Sequence, residues 1–159
     1  MIVQRDMKEI WEKIMEIKKM TPVMVQHFHY DLNEEPIVKN ELNVSLRQVF
    51  QTDENGKQDE GKEGYYFEVA IPFEVAPEPG QFTVSGLVSQ VLQLKNYFGD
   101  GRDLRPNDYE LMSRPLVEEI ETLTYQVTQL TLEKPVNLSF KSNFDQLNYK
   151  RDPEPKEKS

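Results

Sequence analysis

Between positions 65 and 75 every second residue is large and apolar: Tyr65, Phe67, Val69, Ile71, Phe73 and Val75. A period of two over eleven residues puts all six side chains on one face of a β-strand. A face that apolar must be covered, so the chain builds a sheet with one side buried. Pro72 falls on the opposite phase and removes one ladder N–H, which predicts a bulge or a locally unpaired edge there.

Three further segments read as strands. Positions 23–30 are rich in β-branched and aromatic residues. In 41–50, Leu42, Val44 and Leu46 alternate with Asn43, Ser45 and Arg47, the pattern of a half-buried strand. Positions 81–94 carry Phe82, Val84, Gly86 and Val88 in phase. A helical reading of 87–98 competes through Leu87, Val91 and Leu94; the strand is preferred. The segments between are turn-rich. Pro36 and Asn33 lie in 31–40, three glycines lie among seven charged residues in 52–64, and 76–80 reads Ala-Pro-Glu-Pro-Gly.

Two segments have helical period. Met7, Ile10, Trp11, Ile14 and Ile17 make one stripe over 4–20, ended by Thr21-Pro22. Later, Tyr109, Met112, Leu116, Ile120, Leu123, Val127 and Leu130 step by three and four. Pro106 is expected to block any earlier start, and Asn107 with Glu110 matches a capping box. Pro115 is expected to kink or split this helix, and Lys134-Pro135 to end it. Residues 136–140 read as extended, and 146–159 as a disordered charged tail after one domain spanning 1–145. Strands followed by a helix indicate an α+β domain, its antiparallel sheet covered on one face.

Composition limits the partners. With 28 acidic and 19 basic residues the net charge is −9, which disfavours nucleic acid and anionic membrane surfaces. No run approaches 18 apolar residues, and the first twenty residues lack the continuous apolar stretch of a signal peptide. There is no cysteine, so thiol chemistry, disulfides and Cys-ligated metals are excluded. A soluble, cytoplasmic protein is expected.

Chemistry is thinly represented. His27 and His29 share one strand face and are suited to jointly holding a metal, with Asp31, Glu34 or Glu35 as a third ligand; two ordinary half-exposed histidines are the favoured reading. Glu118, Glu119 and Glu121 read as a solvated helix face rather than acid–base carboxylates. Neither a nucleophile elbow nor a glycine-rich phosphate loop occurs. The expectation is a non-enzyme without metal or cofactor. Apolar surface is the remaining signal. Trp11 on the first helix, Phe28 and Tyr30 on the first strand and Tyr66 on the third are the candidate polypeptide- or partner-binding residues, since exposed apolar patches mark association sites.

The runs Phe82-Thr83-Val84-Ser85-Gly86-Leu87-Val88-Ser89-Gln90, Arg114-Pro115-Leu116, Leu123-Thr124-Tyr125-Gln126-Val127-Thr128 and Val136-Asn137-Leu138-Ser139-Phe140 resemble a small uncharacterised bacterial family. That family's fold is similar to the protein-export chaperone SecB. Pro135-Val136-Asn137 with Phe140 is a loose echo of a late SecB segment. The resemblance implies a four-stranded antiparallel sheet in the order 1-4-3-2, backed by the long C-terminal helix. It also implies a homo-oligomer, dimer or tetramer, that holds unfolded polypeptides on apolar grooves. The helix over 4–20 departs from that pattern and is expected to cap an interface or fill a groove. The alternative is a scaffold that uses the same fold to bind one folded partner.

Overall fold

The computed structural model describes residues 15–52, 54–59 and 61–139, and the backbone of 148–151. Its elements are β1 (Ile17–Lys19), β2 (Met24–Leu32), β3 (Lys39–Val49), β4 (Tyr66–Ala76), β5 (Phe82–Leu94), a helix here called α1 (Pro106–Thr131) and β6 (Asn148–Arg151). The fold is α+β, as expected, but the four-stranded sheet is too small an expectation. The sheet has six strands in the order β1-β5-β4-β3-β6, with β2 also against β5. Pairing is antiparallel except for β6, which lies parallel to β3.

The core lies on one face. Leu42, Val44 and Leu46 of β3, five alternate residues of β4 from Phe67 to Val75, and Phe82, Val84, Val88, Leu92 and Leu94 of β5 are all buried. Helix α1 packs across β4 and β5, burying Tyr109, Met112, Leu116, Val117 and Ile120. Each fully buried side chain of this kind contributes about 1.5–3 kcal/mol.

The expected helix over 4–20 is corrected where it can be seen. Its portion before Met15 lies outside the described residues; Ile17–Lys19 is a strand opposite Leu92–Leu94. The thirteen-residue β5 outruns β2, and its far end takes β1 as an edge partner. Thr21-Pro22 ends no helix but forms a seam between two edge strands. Met20 N donates to Val91 O at 2.9 Å, and Val91 N donates to Thr21 Oγ1 at 3.1 Å.

Helix α1 also differs from expectation in three ways. It begins two residues earlier, because Arg105 is the N-cap and Pro106 occupies the first helical position, where a missing N–H costs nothing. Arg105 N donates to Asp108 Oδ2 at 2.9 Å, so Asp108 closes the helix start back onto Arg105, and the expected Asn107/Glu110 capping box does not form. The helix is continuous through Pro115; the carbonyl four residues earlier belongs to exposed Leu111 and can face water. Beyond Ile120 the buried face passes to Thr124 and Thr128, while Leu130 is 85% exposed. Both threonines satisfy their hydroxyls within the helix, on Ile120 O at 2.8 Å and Thr124 O at 2.7 Å.

The expected tail, 146–159, is corrected in part: Asn148–Arg151 pairs with Asn43–Leu46 as β6. The rest of that stretch lies outside the described residues.

Candidate polypeptide-binding surface

The surface is built from the outer edge of β2 and the loop after it. Strand β2 pairs only with β5 among the described residues, so its far side presents backbone N–H and C=O groups along nine residues. Met24 (46% exposed), Val25 (40%) and Leu32 (65%) lie along it, with Ile37 and Val38 exposed in the following loop. A bulge at Gln26 separates Val25, opposite Val88, from His27, opposite Leu87. From His27 to Leu32 the register is unbroken.

Gly86 brings the edge in close. A Cβ there would sit 2.2 Å from His27 O and 3.0 Å from Phe73 Cζ, so only glycine lets β2 approach β5 at this point. Phe28, opposite Gly86, then reaches over it to Phe73, with ring centroids 6.1 Å apart. Tyr30 stacks on Phe82 at 5.6 Å. Its hydroxyl is buried and has no hydrogen-bond partner among the described residues.

Phe28 and Tyr30 therefore differ from the sequence reading. Both are half-buried against the core rather than spread on the open face. The bulge at Gln26 flips the phase of β2, which no pattern in 23–30 reveals. Tyr66 does point to the open face but is only 8% exposed, because the β3–β4 connection folds over it. Its hydroxyl donates to Asp59 Oδ2 at 2.8 Å, and Gly61 N donates to Asp59 Oδ1 at 2.7 Å. The Gly61 N–H, helped by Tyr66, holds the Asp59 carboxyl below the usual range. Burial, reinforced by Asp59, pushes the Tyr66 phenol up. Tyr66 is thus part of a closed hairpin base, separate from the β2 edge, and Trp11 lies outside the described residues. The exposed Met24, Val25, Leu32, Ile37 and Val38 are what sequence reasoning missed; Leu32, Ile37 and Val38 sat in a segment read as polar loop.

The open face itself is polar. Arg47 pairs with Glu68 at 2.6 Å and Lys39 with Glu74 at 3.1 Å. His27 and His29 stand exposed there with ring centroids 5.5 Å apart. No group of three or more metal-ligating side chains is brought together among the described residues. A shallow hollow of about 380 Å³ crosses the middle of this face, with Pro72 and Gly86 at its floor and His27, Glu41 and Glu74 around it. No helix among the described residues is long and apolar enough to cross a membrane.

Among the described residues, fold and surface define an α+β protein with one helix on an antiparallel sheet and an accessible apolar edge. The chain belongs to the DUF1149 family of proteins of unknown function, which matches residues 15–140. A crystal structure of a protein of unknown function from Streptococcus agalactiae has the same fold, with a TM-score of 0.67 and 22% identity; the match covers 80% of this chain and all of that one. A SecB-like chaperone of Mycobacterium tuberculosis, solved with a peptide from an antitoxin, matches with a TM-score of 0.42 and 10% identity, over 87% of this chain and 98% of that one. No curated protein matches the chain.

Proposed function

We propose that the chain is a non-enzymatic, cytoplasmic polypeptide-binding protein that holds extended segments along the β2 edge. The observation that carries this reading is the edge itself. A strand whose backbone is unpaired on one side among the described residues, lined by Met24, Val25 and Leu32, offers ladder hydrogen bonds and apolar contacts together. An extended chain laid there adds as a strand, its backbone supplying affinity without demanding one sequence. Phe28 and Tyr30 act as the half-buried wall of the site.

The reading also takes the chain to be a homo-oligomer. The same edge suits a second copy, and two-fold pairing is the commonest way to bury such a surface. If the edge serves only that purpose, the protein is a scaffold rather than a chaperone. Aggregation assays decide between them. Substoichiometric protein is expected to slow aggregation of several unrelated unfolded polypeptides, and a Met24→Lys/Leu32→Lys variant to lose the effect. No suppression of any client rejects the holding role in favour of the scaffold.

A further inference from the structure

The opposite edge of the sheet is occupied by the chain itself. Strand β6 covers Asn43–Leu46, four of the eleven residues of β3, in parallel. The stretch it covers includes the weakest part of β3. Register between β3 and β4 is kept on either side, yet Asn43 and Val44 have no ladder partners there, whereas Ile71 and Pro72 keep theirs on β5. Proline has no N–H to give. Asn43 and Val44 thus lack a ladder on one side and take a short one from β6 on the other.

We propose that the β3 edge is a second strand-acceptor site, for an extended, basic polypeptide segment, and that Asn148–Arg151 holds it shut. This rests on the polypeptide-binding reading above. Four parallel residues are a weak occupant, and seven further residues of β3 have no strand on that side among the described residues. An incoming segment that runs the length of β3 makes more ladder bonds than the cis strand does. Charge sets the partner's chemistry. The cis strand includes Lys150 and Arg151 in a chain of net charge −9, so a basic segment replaces like with like. The alternation of buried Leu42, Val44 and Leu46 along the edge favours apolar residues at every second position of the partner.

The absence of cysteine permits a clean test in the full chain. Ser45 and Lys150 stand opposite each other, so Ser45→Cys/Lys150→Cys forms a reversible lock on β6. The probe is reduced, alkylated lysozyme, a permanently unfolded basic chain. Measured with the β2 edge blocked by Met24→Lys/Leu32→Lys, oxidation is expected to weaken its binding at least about tenfold, in proportion to the fraction of open β3 edge removed, and reductant to restore it. A Tyr149→Pro/Lys150→Pro variant, which cannot complete the ladder, is expected to bind several-fold tighter than the parent. Equal affinity with the lock open and closed, together with no gain in the proline variant, overturns the acceptor edge and leaves the β2 reading standing. Failure of every form to bind the probe overturns the polypeptide-binding reading and this inference with it.

Discussion

Phe28 meets Phe73 across the bare backbone of Gly86, ring centroids 6.1 Å apart. Because the ring contact depends on the missing Cβ, the two substitutions should differ. Phe28→Ala is expected to cost about 1–2 kcal/mol, a half-buried fraction of a full core truncation. Gly86→Ala must push β2 off His27 O and is expected to cost more than Phe28→Ala. Urea midpoints rank the two; the reverse order means that β2 yields without strain.

Ile71 is fully buried at the centre of β4. Ile71→Asp places an unpaired charge under α1 and is expected to abolish folding. Circular dichroism with a melt like the parent's rejects the face assignment of β4.

Thr124 and Thr128 look alike in sequence but differ in what they hold. The Thr124 hydroxyl only returns to Ile120 O, whereas Thr128 Oγ1 also accepts Val136 N at 2.8 Å. Thr124→Val is expected to change stability by less than about 0.5 kcal/mol, and Thr128→Val to lower it by about 1 kcal/mol by orphaning that N–H. Equal losses contradict the assigned bond.

Two phenols predict an alkaline transition. Burial, and then the bond to Asp103, raises the Tyr97 phenol far above its ordinary value, and burial raises Tyr66. A phenol raised in the fold contributes fully below its unfolded value of about 10, and its contribution fades as pH rises through the folded value. Asp59 is lowered, so its contribution is present above about 4 and fades as pH falls. Its exposure makes the acid effect the smaller one. Urea midpoints are expected to hold from pH 8 to about 10 and to fall above it, with a shallower fall in Tyr97→Phe. An unchanged slope assigns the transition elsewhere.

Self-association is expected through the β2 edge, and it should strengthen with salt, because each copy carries −9. Sedimentation equilibrium is expected to give a mass above 18.7 kDa that falls in Val25→Lys. A monomer at low and moderate salt, up to high micromolar concentration, rejects the oligomer.

The buried face of β4 was legible because a period of two over eleven residues has one structural meaning. The interruption at Pro72 was legible for a similar reason, since one missing N–H is a local fact. The β1 strand was not: Ile10, Ile14 and Ile17 share a helical stripe, and only the unpaired end of β5 turns Ile17 into sheet. The threonine face of α1 was hidden because propensity and stripe both pointed to Leu123 and Leu130, while the hydroxyls of Thr124 and Thr128 are satisfied by their own helix. The candidate surface was legible only in its location on the first long strand. The alternation in 23–30 put Phe28 and Tyr30 on the open face, but a single bulged residue, Gln26, turns them to the covered one.

The seam at Thr21 acts as slack in the chain. From Lys19 to Met24 there are five steps, against three from Leu92 to Ser89 on β5. A slip of one residue inside a strand turns every side chain to the wrong face, but here β1 and β2 each take their register from β5 and not from one another. Changes of length at Pro22 and Val23, beyond the bonds that join Met20 and Thr21 to Val91, should leave both strands seated, so the link from β1 to β2 can vary while the apolar edge keeps its place.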